Sequence, residues 1–205
     1  MNLSAKDLCS RSCMQIKMFI EHPELKPQPT FNQLEGEAHH HEVASKLKDI
    51  IGEEMGSHIW MNEGEDINIW FSNDILCKKG IIEVKHVKND RDTSWFFQCS
   101  CVQCAVYSVL SKVCKYELKT AKFYVNKGNQ FKAWKYVDYE TVPYYLYFGD
   151  EIYRIDVTDE DKILEFIKSK AAACSEWETA KAFDKLYKHM EWKTLSPYFN
   201  IVRVR

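Results

Sequence analysis

No run of about 18 consecutive apolar residues occurs in this chain, which argues against a membrane-spanning helix. Residues 1–17 mix polar and apolar side chains and carry no signal-peptide core, so an intracellular protein is expected. An overall basic character is missing too: 28 lysines and arginines stand against 30 aspartates and glutamates, for a net charge of −2. That disfavours a protein that coats nucleic acid non-specifically, but not an enzyme with a local basic groove. No internal repeat and no low-complexity tract appears.

What is present supports a real core: 45% of the 205 residues are hydrophobic and 14% aromatic, enough for one sizeable domain. Eight cysteines stand at positions 9, 13, 77, 99, 101, 104, 114 and 174. Without a secretory signal they are expected to be reduced, in the cytoplasm or in a nuclear or viral setting. The cluster Cys99-Ser-Cys101-Val-Gln-Cys104 is not the paired C-x-x-C pattern of a zinc site, and it falls where a helix should begin. These thiols read as small buried apolar groups.

Periodicity predicts a helix over 4–20, an extended connector at Pro23, Pro27 and Pro29, and an amphipathic helix over 34–51 closed by Gly52 and Gly56. Short strands are expected near 58–61, 66–71, 74–77 and 81–87, then a polar loop at 89–93 and a helix over 95–113. Further strands near 121–126, 144–148 and 152–157 precede two closing helices, 159–173 and 176–190. Thr158 with Asp161, and Ser175 with Glu178, resemble capping pairs for those helices. Trp177, Ala180, Phe183, Leu186 and Met190 form a stripe expected to face the core. This order suggests one α/β domain, residues 1–205, with a mixed central sheet flanked by helices on both faces.

The segment Asp74-Ile-Leu-Cys-Lys-Lys-Gly-Ile-Ile-Glu83-Val-Lys85 carries the most chemistry. Alternation puts Ile81, Glu83, Lys85 and Val87 on one face of a strand, and Ile82, Val84 and His86 on the other. Apolar residues on both faces mark a central, covered strand, in which ionised groups need partners or a metal. The turn Lys78-Lys79-Gly80, with Gly80 suited to a left-handed position, makes a hairpin. If Cys77 faces Gly80, Asp74 faces Glu83; a bulge at Gly80 shifts the register by one and keeps the acids neighbours. A cation between them removes their repulsion.

His39, His40 and His41 lie in the first turns of the second helix. His40 stacks with Ala44 and Leu47 on the expected buried face, while His39 and His41 point further out. Gln103 and Tyr107, four apart, share a helix face.

The whole pattern resembles the RecB-like branch of the PD-(D/E)xK nuclease superfamily, which includes lambda-type exonucleases and CRISPR-associated RecB-like exonucleases. The residues that carry it are Gly36-Glu-Ala-His39-His40, Ser72-Asn73-Asp74, Ile81-Ile82-Glu83-Val84-Lys85 and Gln103-Cys-Ala-Val-Tyr107, in the family's order, together with an N-terminal helix at Leu3–Ile20. The resemblance spans about residues 3–125 and implies a restriction-endonuclease-like fold with a nuclease core at about 30–157, an N-terminal helix at 4–20 and a C-terminal helical pair at 159–191. It implies that Asp74, Glu83, the Val84 carbonyl and His40 hold Mg²⁺ or Mn²⁺. By the same likeness Lys85 holds or activates the attacking water, and Gln103 and Tyr107 orient Lys85 and the DNA.

Asn73 stands where the family has proline, His39 or His41 could take the place of His40, and Asp66 competes with Asp74. Cys9 and Cys13 are early, but only Cys174 is late and the last residues hold no cysteine, so no iron–sulfur cluster is expected. Lambda-type relatives form rings, yet no oligomer signature or recombination partner is readable in this chain.

Lysines 112, 115, 119, 122, 127, 132 and 135 alternate with aromatics from Tyr116 to Tyr136. Lys112–Tyr136 is therefore a candidate contact face for single- or double-stranded DNA and its ends. The expected function is a metal-dependent deoxyribonuclease, an exonuclease of repair, recombination, phage replication or CRISPR adaptation. Its rivals are an inactive or partner-dependent nucleic-acid-binding subunit of the same fold and a zinc-stabilised interaction module.

Overall fold

The computed structural model describes residues 1–28, 39, 42–43, 56–61, 67–77, 80–87, 93–116, 123–127, 130–133, 143–187 and 191–204. For 56–61, 72, 76–77, 114–116, 123–127 and 130–133 it describes the backbone alone. The chain forms β1 (Asn2–Ser4), α1 (Ala5–Ser10), α2 (Cys13–Glu21), β2 (Gly56–Met61), β3 (Asn68–Asn73), β4 (Ile75–Cys77) and β5 (Gly80–Lys85). Then follow α3 (Ser94–Tyr116), β6 (Phe123–Lys127), β7 (Gln130–Ala133), β8 (Tyr144–Phe148) and β9 (Glu151–Val157). The described residues close with α4 (Glu160–Ala173), α5 (Trp177–Tyr187), α6 (Glu191–Leu195) and β10 (Phe199–Arg203). Among them no helix is long and apolar enough to cross a membrane.

The architecture is mixed α/β. One sheet has the order β1-β3-β2-β6-β7 and the other β10-β9-β8-β5-β4. Each contains one parallel pair, β1 with β3 and β5 with β8. Chain continuity joins the sheets: β3 of the first passes through a single bend residue, Asp74, into β4 of the second.

Helix α3 packs on strands of both sheets. It is apolar nearly all round, with Cys101, Val102, Cys104, Ala105, Val106, Tyr107, Val109 and Leu110 buried, which is the pattern of a central helix. Its small cysteine, alanine and serine side chains let both sheets approach closely. The main core joins Leu3, Ile69 and Phe71 of the first sheet to Ile81, Tyr144, Leu146 and Ile155 of the second. A smaller cluster of Val43, Ile75, Ile82 and Val84 covers the other face of β5.

Several expectations are corrected. The helix over 4–20 is two helices: Ser12, in extended conformation, starts α2 with a reciprocal capping box to Gln15. The chain's last described element is a strand rather than a helix, because β10 adds an edge to β9. Asp159, not Thr158, caps α4 by accepting from the Lys162 amide, and the Ser175 hydroxyl donates back to the Ala172 carbonyl. On α5, Ala180 is buried, but Leu186 is 74% exposed, so the apolar stripe does not all face the core. Gly80 is not left-handed; Gly149 is, at φ 62°. A Cβ on Gly80 would stand 2.7 Å from the Tyr145 ring and 2.9 Å from the Pro143 carbonyl, so closeness is what demands glycine there.

Candidate functional site

Strand β5 lies between β4 and β8, with Cys77 opposite Gly80 and Ile75 opposite Ile82. Continuing that register by one step sets Asp74 across from Glu83. The hairpin thus takes the unbulged register, and both faces of β5 are covered. The bend that turns Asp74 inward is secured by its neighbour: Asn73, buried, accepts a hydrogen bond from the Tyr144 hydroxyl. Asn73 therefore has a local structural role.

Asp74 Oδ2 accepts from the Val84 amide at 2.7 Å. Glu83, 2% exposed, accepts through Oε1 from Lys85 Nζ at 2.5 Å and from Gln103 Nε2 at 2.6 Å. Gln103 is hydrogen-bonded in turn to Tyr107 one helical turn on, and the Tyr107 ring lies 5.2 Å from that of Phe71. Five of the expected residues, Asp74, Glu83, Lys85, Gln103 and Tyr107, therefore converge. They come from a bend, a central strand and the central helix.

The electrostatics are those of a charged group held in a dry place. Burial raises the Asp74 carboxyl above its ordinary value, although Lys85, the Val84 amide and Lys6 all oppose the rise. Burial pulls Lys85 down, but Glu83 and Asp74 more than offset it, and its pKa lies above the usual lysine value. Burial, then the Glu83 charge, push the Tyr107 hydroxyl well up, so it is a neutral hydrogen-bonding group.

Lys6 is a member that sequence reasoning missed. Parallel pairing sets Ser4 beside Trp70, so the first turn of α1 stands next to the end of β3 that leads into Asp74. Its amine is lowered by burial and by Lys85, and it feels Glu83 and Asp74 as counter-charges, yet the residue is exposed at the surface. The sequence signal was a lysine two residues past a β-strand that pairs with β3, and only the pairing gives it meaning.

The histidines fall differently from expectation. His40 and His41 lie outside the described residues, as does Asp66. His39 is helical, and its side chain is only 19% exposed; it does not point outward, because it shares a face with buried Val43. Its ring stands 4.5 Å from His86 and 6.4 Å from Tyr147. Tyr147 pairs with Val84, so His39 lies on the face of β5 opposite Glu83 and Lys85. Among the described residues no three His, Cys, Asp or Glu side chains form a metal-holding group.

Buried Glu83 on β5 and half-buried Asp74 in the bend before β4 are carboxylates, whose oxygens are the kind of donor that hard divalent cations take.

Cys9, Cys13, Cys101, Cys104 and Cys174 are buried free thiols and Cys99 is half-buried. In the basic segment, Lys112 is ion-paired to Glu160; the side chains from 114 to 136 lie outside the described residues.

No protein-family model matches the chain, and no curated protein matches it. It is similar to a solved structure described as "Crystal structure of SSO0001", with 14% sequence identity and a TM-score of 0.48, over 82% of this chain and 74% of that one.

Proposed function

We propose that this chain is a divalent-metal-dependent nuclease of the RecB-like type, built on a restriction-endonuclease-like sheet, that hydrolyses phosphodiester bonds in DNA. One observation carries the reading: Lys85 and Gln103 meet on the buried Glu83 carboxylate, with Asp74 in the adjoining bend. A surface hairpin would not bury an acid, a lysine and an amide together.

Asp74, Glu83 and the Val84 carbonyl would hold Mg²⁺ or Mn²⁺, with a histidine such as His40 as a further ligand. Such an ion supplies Lewis acidity, lowering the pKa of a bound water and neutralising charge on the phosphate. Gln103, steadied by Tyr107, keeps the Glu83 carboxylate aimed. Lys85 as it stands is a charged donor, since the two carboxylates keep it protonated. When their charge is engaged elsewhere, burial is left as the dominant influence, and Lys85 moves toward the pKa of a base for the attacking water.

The second reading is a nucleic-acid-binding subunit of the same fold without cleavage. It is favoured by the same Glu83 contacts, because Lys85 and Gln103 already compensate that carboxylate. End-labelled linear and circular DNA, single- and double-stranded, incubated with Mg²⁺ or Mn²⁺, separates the two. Metal-dependent degradation that Glu83→Ala lowers by about a thousandfold or more, with binding retained, supports the nuclease. Degradation that survives Glu83→Ala removes this site from the chemistry.

A further inference from the structure

We propose that Tyr144 is a positioning residue for metal binding: by holding Asn73, its hydroxyl sets where the Asp74 carboxylate stands relative to Glu83. This rests on the reading of Asp74 and Glu83 as metal ligands, and it adds to the site a residue of β8 that neither strand alternation nor helix spacing brings out.

The bend at Asp74 needs an outside hold. β3 belongs to one sheet and β4 to the other, and Asp74 is the single residue between them. The ladders place its neighbours, β3 against β1 and β2, and β4 against β5, but none of them includes Asp74.

Tyr144 supplies that hold. β5 lies between β4 and β8, and Tyr144 of β8 is the register partner of Ile81. It shares the main core with Ile81, whereas Ile82 and Val84 pack in the smaller cluster. Its ring therefore lies on the face of β5 that carries Glu83. Its hydroxyl donates to Asn73 Oδ1, one residue before Asp74. The bond links the strand on one edge of β5 to the bend that enters the strand on its other edge.

The footing of the ring is itself fixed. The Ile81 amide donates to the Pro143 carbonyl at 3.0 Å, immediately before Tyr144. Tyr144 and Asn73 are each 2% exposed. If filling the core were all that mattered, a phenylalanine would serve; a buried hydroxyl and amide are tolerated because each satisfies the other. Burial, then the Glu83 charge, push the Tyr144 hydroxyl well up, so it stays a neutral donor.

The two acids then have matching supports. Gln103, bonded to Tyr107, holds Glu83. The Val84 amide holds the Asp74 carboxylate, and Tyr144, through Asn73, holds the chain from which it projects. A cation shared by two carboxylates is sensitive to their spacing, because its bonds to oxygen are narrowly set, at about 2.0–2.1 Å for Mg²⁺. Groups that orient a ligand without touching the ion change metal affinity about 10- to 100-fold when they are removed.

The test is Mn²⁺ binding to the folded protein without DNA, read from the electron paramagnetic resonance signal of free Mn²⁺, beside the Mn²⁺ concentration that half-activates DNA degradation. Tyr144→Phe should weaken Mn²⁺ binding about tenfold or more and raise the half-activating concentration by the same factor, with turnover recovering at saturating Mn²⁺. Asn73→Ala should weaken binding too, and adding Tyr144→Phe to it should cost nothing further. Ile167→Val, a mild core change on α4, should leave Mn²⁺ affinity unchanged, which separates positioning from lost stability. Unchanged Mn²⁺ affinity in Tyr144→Phe overturns the proposal, as do additive losses in the double variant or an equal loss in Ile167→Val. Unchanged affinity in a protein that still degrades DNA with metal removes the positioning role and keeps the nuclease. Tyr144-dependent Mn²⁺ binding in a protein that degrades nothing keeps the positioning role and removes the nuclease.

Discussion

Cys99 is a quiet thiol in the fold, as a small half-buried side chain should be. Burial first, then the neighbouring Glu191 charge, push its thiol up to about 11, against a partial opposing pull from Lys170. Burial alone takes Cys101 up to about 12. Since thiolate is the nucleophile, only about a thousandth of Cys99 is reactive at pH 8. An iodoacetamide pulse read by peptide mass spectrometry should label native Cys99 slowly, about tenfold faster per pH unit from pH 7 to 9. Cys101, fully buried, should need urea before it reacts at all. Rapid native labelling of Cys99 at pH 7 would contradict this environment. The Asp74, Glu83, Lys85, Gln103 and Tyr107 set was legible because each member declares itself locally, by alternation on a strand or by spacing on a helix. Lys6 was not, because its nearness to Asp74 comes from a parallel pairing of β1 with β3 across 66 residues of chain. His39 was misjudged because a helical face estimated from Ala44 and Leu47 was rotated from the one that Val43 shows.

Among elements, the N-terminal helices are held by charges from the other end of the chain. Lys170 of α4 is 1% exposed, and its ammonium donates to the Leu8 and Arg11 carbonyls and to Glu191. A cation suits the carbonyl end of α1. Asp184 of α5 accepts from the Cys13 and Met14 amides at the start of α2, the end that favours an anion. The break between α1 and α2 is therefore fixed twice over. Apolar periodicity runs across Arg11 and Ser12 without a gap, which is why one helix was expected there. Lys170→Met would strand Glu191 and two buried carbonyls, and should cost about 3–5 kcal/mol in urea unfolding. Adding Glu191→Leu should recover part of that loss, since the second change removes the stranded charge. A double variant no better than the single one would mean that the carbonyl contacts, rather than the ion pair, carry the effect.

At the scale of the molecule, α3 links the two sheets and ends its line of contacts at the candidate site. Phe71 of β3 packs on Tyr107, Tyr107 is bonded to Gln103, and Gln103 holds Glu83 of β5. Adjacent pairings such as β4 with β5 could be read from a turn, whereas β5 with β8 and β9 with β10 join distant segments that no local pattern matches to one another. The line of contacts makes a prediction that two variants divide. Tyr107→Phe keeps the ring against Phe71 and removes the hydroxyl that steadies Gln103, so stability should fall by only about 1 kcal/mol. Phe71→Ala leaves a cavity under that ring in the main core, and stability should fall by about 3–5 kcal/mol. If aiming Glu83 matters to cleavage, Tyr107→Phe should slow metal-dependent DNA degradation at saturating DNA by about tenfold while the fold stays intact. Phe71→Ala, assayed at a temperature where it remains folded, should slow it too, although Phe71 belongs to the other sheet. Wild-type turnover in Tyr107→Phe would show that Lys85 and Gln103 hold Glu83 well enough without the Tyr107 hydroxyl.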